Sequence, residues 1–159
     1  MKHHVEVRYD ASAEQVLRMF ADPKFHTAKL EAMGMTGSRV LDNEDRGETF
    51  MIRVERKVPL AVPGMKKGAG SSCVNHTERW NRKQGSGEIS AVVPGMPLDM
   101  TCIASIRDDG DGCVASYDWN VHSKVPVVGK AIEKFVVGDL DKRFNEEVET
   151  TKKMLADYR

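Results

Sequence analysis

The sequence contains little cysteine and no surplus of charge, and both absences limit what the protein can be. Cys73, Cys102 and Cys113 are odd in number and lack the paired spacing of metal sites, so they predict reduced, mostly buried thiols instead of a disulfide framework. The 24 lysines and arginines equal the 24 aspartates and glutamates. No overall basic field is therefore available to hold nucleic acid or anionic lipid, although local patches stay open.

Long apolar runs are also missing. The chain enters an alternating strand almost at once, and no segment is long enough for a signal peptide or a membrane span. We therefore expect a cytoplasmic protein without integral membrane association.

Its 159 residues predict one domain, residues 1–159, that can bury about 70% of its unfolded surface. No phosphate-binding glycine loop, nucleophile motif or metal cluster is found, so neither a cofactor nor a metal is predicted.

The last part of the chain predicts one long helix, from Pro126 to about Tyr158. Proline suits a first helical turn, and apolar residues then recur every three or four positions. These residues are Val128, Ile132, Val136, Leu140, Phe144, Val148, Thr151 and Leu155. Gly138 indicates a kink or a close backbone approach, unless the helix follows a curved sheet without a kink. Such a long stripe needs a broad apolar partner, which only the preceding sheet can supply.

Two short helices are predicted near the start of the chain, after a first strand. Ser12 and Gln15 have the spacing of a capping box, which begins the first helix. Asp22 and Pro23 then begin the second helix, and Gly34 ends it. The chain thus places a strand and two short helices before its main strand region.

Residues 35–123 predict six further strands, which makes seven in all. The turn signals that divide them are Asp42–Gly47, Pro63–Gly70, Gly85–Gly87, Pro94–Pro97 and Asp108–Gly112. Each strand has one apolar and one largely polar face, so one face of the sheet meets water and the other meets the long helix. The fourth strand allows two registers, which place inward either Val74, His76, Glu78 and Trp80 or Cys73, Asn75, Thr77 and Arg79. The bulk of Trp80 and Val74 favours the first register.

This order of elements resembles the START-like superfamily with its helix-grip fold, which includes the birch pollen allergen, polyketide cyclases and aromatases, and lipid-transfer domains. More narrowly, it resembles the domain-of-unknown-function family 2505. The segments that carry the resemblance are Val5–Val7 with Ser12–Val16, Asp22–Phe25, Glu78–Trp80 and Val125–Phe135. The resemblance implies an α+β fold, in which a curved seven-stranded antiparallel sheet wraps around a long C-terminal helix. It also implies a deep apolar cavity between sheet and helix, but no particular reaction.

We expect a hydrophobic small molecule in this cavity: a lipid, a sterol-like compound, a quinone or a polyketide. The residues predicted to contact it are Phe50, Ile52, Val54, Met65, Val74, Trp80, Ile89, Ala91, Val93, Met96, Met100, Cys102, Ala104, Tyr117, Trp119, Val128, Ile132, Phe135 and Val136.

The entrance to the cavity is expected where alternate turns of the sheet meet. The tetrapeptide Val-Pro-Gly-Met occurs at residues 62–65 and again at 93–96, and Val125-Pro126 follows the last strand. These turns form either a cavity mouth or ordinary strand connections. Because residues 64–70 contain three glycines and no branched or aromatic anchor, we predict that this loop is the mobile gate. The helix should stay fixed, held by Val128, Ile132 and Phe135.

Among the histidines, His76 is the best candidate for chemistry. With the favoured register, His76 and Glu78 share the concave face and form a candidate acid/base pair, or else a satisfied buried pair. His3 and His4 are expected to face solvent instead of binding a metal, and His26 is expected on the surface. Three function classes therefore stay open: a carrier of a hydrophobic ligand, an acid/base enzyme with an enclosed apolar substrate, and a protein-interaction or regulatory module.

Overall fold

A computed structural model describes residues 1–58 and 72–158. In chain order its elements are β1 (Lys2–Tyr9), α1 (Ala13–Ala21), α2 (Pro23–Ala32), β2 (Arg39–Asp45), β3 (Thr49–Val58), β4 (Ser72–Asn81), β5 (Ser86–Val92), β6 (Leu98–Asp109), β7 (Gly112–Ser123), α3 (Gly129–Leu155) and a short 3₁₀ helix (Ala156–Tyr158). The predicted sequence of elements is confirmed.

The two short helices begin at the predicted caps. The Ser12 hydroxyl accepts a hydrogen bond from the Gln15 backbone, and the Gln15 side chain accepts one from the Ser12 backbone, both at 3.2 Å. Asp22 ends α1 and begins α2, where its carboxylate accepts from the Lys24 backbone at 3.0 Å. The same carboxylate accepts from the hydroxyl of Tyr158 at 2.6 Å, which attaches the end of the chain to these helices.

The seven strands form one antiparallel sheet in the order β1-β7-β6-β5-β4-β3-β2. Strands β2 to β7 follow one another as hairpins, and β1 pairs with β7. Three predicted turns are wrong in their bounds. Strand β2 extends to Asp45, and its end was misplaced because this exposed edge strand has no apolar alternation to mark it. The turn before β5 begins at Arg82, and the turn between β6 and β7 contains only Gly110 and Asp111.

Alternate residues of each central strand face the concave side of the curved sheet. In β6 they are Leu98, Met100, Cys102, Ala104 and Ile106, all buried, while the residues between them are exposed. In β4 the buried set is Val74, His76, Glu78 and Trp80. The favoured register of the fourth strand is therefore confirmed.

Helix α3 lies across the concave face, but only part of the predicted stripe is buried. Ile132, Val136, Thr151 and Leu155 are buried, and Leu140, Phe144 and Val148 pack against the core. The prediction that Val128 and Phe135 hold the helix on the sheet is wrong, because their side chains are 46% and 37% exposed. Steps of four residues advance about 40° beyond a full turn, so the apolar stripe rotates away from the sheet at the start of the helix.

Gly138 has no neighbour that requires a glycine. Helix α3 continues through it without interruption, and apart from the adjacent turns of the helix itself no described atom lies within 4 Å of the position that a Cβ would take. The close backbone approach considered for Gly138 is therefore wrong for the described residues. The helix begins at Gly129 instead of Pro126, since Val127 has a φ of 69°, outside the helical region.

Candidate functional site

A cavity of about 160 Å³ lies between the concave face of the sheet and α3. Its apolar wall includes predicted ligand contacts from four strands and from the helix, namely Val74, Ile89, Ala91, Val93, Met100, Tyr117, Trp119 and Val136. His76 and Glu78 also line it, so the structure brings the predicted acid/base pair to the cavity.

The cavity does not reach the other predicted contacts that the structure describes, and for these the prediction is corrected. They are Phe50, Ile52, Val54, Trp80, Met96, Cys102, Ala104, Val128, Ile132 and Phe135. At one end, Phe20 of α1 lines the cavity and packs on Trp80, with ring centres 5.7 Å apart, so α1 separates this part of the sheet from the cavity. At the other end, the first turn of α3 lies directly on β7, where a Cβ on Gly129 would meet the Ser123 carbonyl oxygen at 3.3 Å.

Two of the three strand connections that were predicted to cluster at one end of the sheet are neighbours there. The backbone N–H of Lys124 donates to the Pro97 carbonyl at 2.9 Å, so the β5–β6 turn and the link from β7 to α3 lie side by side. Val93 and Leu98 line the cavity from this turn. Met65 and the predicted gate at residues 64–70 lie outside the described residues.

A cluster of three charged side chains lines the cavity beneath α3. The Glu147 carboxylate accepts from Lys29 of α2 at 2.8 Å and from Arg56 of β3 at 3.1 and 3.3 Å. The side chains of Lys29, Arg56 and Glu147 are 5%, 12% and 25% exposed. Burial alone would raise the pKa of Glu147, but the charges of Arg56 and Lys29 outweigh it and hold that pKa well below its usual value. Glu147 is therefore ionised, and its charge is shared between two buried cations.

The polar pair of β4 is bound tightly together. Nε2 of His76 lies 2.8 Å from Oε1 of Glu78, and the indole N–H of Trp80 donates to Oε2 of Glu78 at 3.2 Å. Burial and then the charge of Arg56 lower the pKa of His76, against the opposing effect of Glu78. Burial acts to raise the pKa of Glu78, but the hydrogen bond and charge of His76, together with the charges of His26 and Lys29, outweigh it and leave that pKa lowered. At neutral pH the pair is thus a neutral imidazole that donates from Nε2 to a carboxylate, and Nδ1 keeps its lone pair.

Histidines outside β4 differ from their predictions in two cases. His26 is 1% exposed and lines the cavity, so the surface prediction is wrong. Its Nε2 bonds to the Phe20 carbonyl at 2.7 Å, and burial lowers its pKa to about 4. His3 is half-buried, lines the cavity and has Nε2 3.5 Å from Asp141, because α3 covers this end of β1. His4 is exposed as predicted, with Nδ1 2.6 Å from Asp118.

Sequence patterns did not identify Lys29, Arg56 and Glu147, although the first two leave a local signal. Arg56 continues the inward alternation of Phe50, Ile52 and Val54 and is the charged member of that series. Lys29 lies four residues after the buried Phe25, on the same helical face. A charged residue inside an apolar series is the pattern that marks a polar group in a cavity.

Within residues 1–58 and 72–158, no three His, Cys, Asp or Glu side chains come together in a way that could hold a metal ion. In the same ranges, no helix is long and apolar enough to cross a membrane.

Comparisons with known proteins agree with this architecture. The profile of the family described as "Protein of unknown function (DUF2505)" matches residues 4–155. No curated protein matches the chain significantly.

Several solved structures have the same fold at low sequence identity. TTHA0849 from Thermus thermophilus is 13% identical, with a TM-score of 0.62, over 99% of this chain and 98% of that one. Ara h 8.0201 is 10% identical, with a TM-score of 0.65 and the same two shares. The Zhui aromatase/cyclase from Streptomyces sp. R1128 is 10% identical, with a TM-score of 0.59, over 98% and 94%. These similarities show that the chain has the helix-grip fold.

Proposed function

We propose that this chain, which belongs to the DUF2505 family of proteins of unknown function, binds a small hydrophobic molecule in the cavity between its sheet and α3. The observation that carries the proposal is the cavity itself, a space of about 160 Å³ with a mainly apolar wall. Apolar pockets with a few convergent polar groups are the usual form of small-molecule sites. The similarity in fold to an aromatase/cyclase supports the same proposal.

The size of the cavity favours a small ligand. A cavity of about 150 Å³ holds one benzene ring, so a one-ring quinone or a single-ring aromatic compound fits the space as it stands. A sterol or a long-chain lipid is larger and would require side chains or α3 to move. Of the ligand classes predicted, the smallest quinones and aromatic polyketides therefore fit best.

The charged cluster determines how the ligand is oriented in the cavity. Nε of Arg56 is buried and has no hydrogen-bond partner among the described residues. An unpaired buried N–H costs about 1–3 kcal/mol, and a ligand oxygen that accepts from it would remove that cost. We therefore place the polar end of the ligand at Arg56 and its ring against the apolar wall near Tyr117 and Ala91.

The test measures the binding of an environment-sensitive naphthalene dye and its displacement by simple quinones. Ala91→Leu, which fills the cavity, should weaken dye binding at least about tenfold because a buried ligand cannot share space with added methyl groups. Ala28→Leu is the matched control, since Ala28 is exposed on α2. Absence of dye binding by folded protein at micromolar concentrations, or an equal effect of both variants, would contradict the proposal. Native mass spectrometry of freshly purified protein would identify a retained ligand directly.

The pair in β4 favours a second candidate, an acid/base enzyme. The specific observation is the 2.8 Å contact of His76 with Glu78 at the cavity wall, which leaves Nδ1 of a neutral imidazole as a base. Deuterium exchange at the α-carbon of small aryl ketones, followed by NMR, tests for proton abstraction. His76→Ala should abolish the exchange and keep dye affinity within about twofold, whereas the exposed His122→Ala should change neither. Exchange that persists in His76→Ala would remove this candidate.

The three cysteines support a cytoplasmic location as part of the proposal. Cys73, Cys102 and Cys113 are all free, and burial raises the pKa of Cys102 to about 12 and that of Cys113 to about 11. Thiols of this kind are typical of reducing compartments. The third class, a protein-interaction or regulatory module, gains no specific support from the cavity.

A further inference from the structure

The first turns of α3 carry an apolar stripe that faces away from the protein. Val128, Ala131 and Phe135 are spaced at i, i+3 and i+7, so they lie on one face over about 10 Å of helix. All three are exposed, whereas Ile132 and Val136 on the adjacent face are buried. The start of α3 therefore presents apolar groups on two faces, of which the sheet covers one.

Val127, just before the helix, extends this stripe in an unusual backbone conformation. Its φ is 69°, and the N–H of Val128 donates to the Pro126 carbonyl at 2.8 Å, which closes a γ-turn with Val127 at its centre. Such a turn is strained for a β-branched residue, at a cost of roughly 1–3 kcal/mol. The Val127 side chain is fully exposed. A strained turn that holds an apolar side chain in solvent does not stabilise the fold, so it indicates a use outside the fold.

Lysines lie along one side of the stripe. Lys130 and Lys134 are exposed one turn apart, about 100° around the helix from the apolar residues, and Lys124 lies just before the turn. Glu133 is the one acidic residue in the sequence from 124 to 138. Its side chain is 12% exposed and is bound by the Met1 amine at 2.9 Å. Lys124 contacts Asp99 at 3.2 Å, but both side chains are more than half exposed. The exposed charge of this segment is therefore positive, although the whole chain is neutral.

We propose that residues 124–135 dock on an anionic lipid bilayer, with Val127, Val128 and Phe135 in the interfacial region and the lysines at lipid phosphates. Exposed apolar side chains at a helix start, with lysines beside them, are the composition of interfacial segments. A protein partner fits less well, because a stable protein interface needs about 800 Å² on each side and the stripe is only a few side chains wide. The lysines determine the lipid class, since they are attracted to phosphate-bearing anionic headgroups.

The surface lies beside the turn that lines the cavity. Lys124 bonds to Pro97, and the neighbouring Leu98 lines the cavity wall. Docking would therefore bring this end of the cavity to the bilayer. The docking proposal does not depend on the identity of any ligand.

The experiment measures sedimentation of the full chain with vesicles of phosphatidylcholine, with and without about one third phosphatidylglycerol. Wild type should bind only the anionic vesicles, and binding should weaken as salt rises. Val127→Ser/Phe135→Ser should weaken binding at least about tenfold. Val92→Ser/Ile103→Ser is the matched control, since both residues are exposed on the sheet, and it should leave binding unchanged.

A second pair of variants isolates the charge. Lys130→Gln/Lys134→Gln should lose roughly fivefold in affinity for each lysine, whereas the exposed pair Lys152→Gln/Lys153→Gln should lose little. Circular dichroism and thermal unfolding check that each variant is folded, and dye binding in the cavity should be unchanged in all of them. Lack of binding to anionic vesicles at low salt would overturn the proposal, as would equal losses in variants and controls. Retention on immobilised polyglutamate without vesicle binding would indicate an acidic protein partner for this surface and would overturn the proposal of a bilayer.

Discussion

Nε2 of His76 and Oε1 of Glu78 are 2.8 Å apart although the two residues belong to the same strand and are both buried. Residues two apart on a strand lie on one face about 6.6 Å apart, within reach of each other's side chains. Glu78 also receives the indole N–H of Trp80, so both of its oxygens are occupied. The carboxylate therefore fixes the orientation of His76 at the cavity wall.

Glu78→Gln should lower the pKa of His76 further. Burial and Arg56 lower that pKa, while the hydrogen bond and charge of Glu78 raise it, so removal of the charge leaves only the smaller raising effect of Glu147 against the lowering ones. NMR titration of the histidine ring protons measures the change. Glu88→Gln, at an exposed position of β5, is the matched control and should leave the titration as in wild type. A raised pKa for His76 in Glu78→Gln would show that the carboxylate does not act on the ring as described.

Acidification should weaken the fold between about pH 6.5 and pH 4. His26 has a folded pKa of about 4, below the ordinary 6.5, so the unfolded state binds more protons than the folded state in this window. The free energy of unfolding therefore decreases as the pH is lowered. The full loss from His26 is about 3 kcal/mol, and the lowered pKa of His76 acts in the same direction. Glu147 and Glu78 also have lowered pKa values, but their contributions are lost below their ordinary value of 4.5.

Urea denaturation at several pH values from about pH 7 to about pH 5 measures how stability depends on pH. In this range the carboxylates stay ionised and do not contribute to the change. His26→Gln should make the dependence clearly shallower, whereas the exposed His122→Gln should keep it. An unchanged pH dependence in His26→Gln would contradict the assignment.

Glu147→Ala should be among the most destabilising single changes in α3. It leaves Lys29 and Arg56 buried without their carboxylate, and removal of one partner of a buried ion pair costs about 3–5 kcal/mol. Glu146→Ala, at the adjacent exposed position, should change stability by less than about 0.5 kcal/mol. Thermal and urea unfolding of both variants make the comparison. Replacing Lys29 with Met in the Glu147→Ala background should recover part of the loss, and a further loss there would contradict the pairing.

Gly87→Ala should destabilise the protein by about 1–3 kcal/mol through overpacking. A Cβ at this position would lie 2.6 Å from the Trp80 ring, in the neighbouring strand, so the indole would have to move. Gly138→Ala is the opposite case, because no described atom occupies the space and alanine favours a helix interior by roughly 1 kcal/mol. The two midpoints of unfolding should therefore shift in opposite directions, and a stable Gly87→Ala protein would contradict the tight contact.

The fold was predictable because its signals are local. Alternation in β3, β5 and β6, the capping box at Ser12 and the proline after Asp22 each depend on residues a few positions apart. The register of β4 followed from the size of Trp80 and Val74 alone.

The composition of the cavity was only partly predictable because it depends on distant contacts. Phe20 of α1 covers Trp80, so it determines which inward-facing residues of the sheet line the cavity. The charged cluster joins Glu147 to residues 118 and 91 positions earlier, and no periodicity connects them. A pattern can show that Arg56 faces inward, but the position of its carboxylate partner is a property of the folded chain.

The pairing of β1 with β7 also has a consequence for the order in which the protein forms. Lys2 lies opposite Asn120, so the first strand to leave the ribosome has no partner until almost the whole sheet has been synthesised. At about 5–20 residues per second, β1 waits on the order of ten seconds, and α3 emerges later still. During that time the apolar concave face of the sheet is uncovered. The surface that encloses the cavity in the finished protein is therefore the part of the nascent chain with the greatest need of chaperone protection.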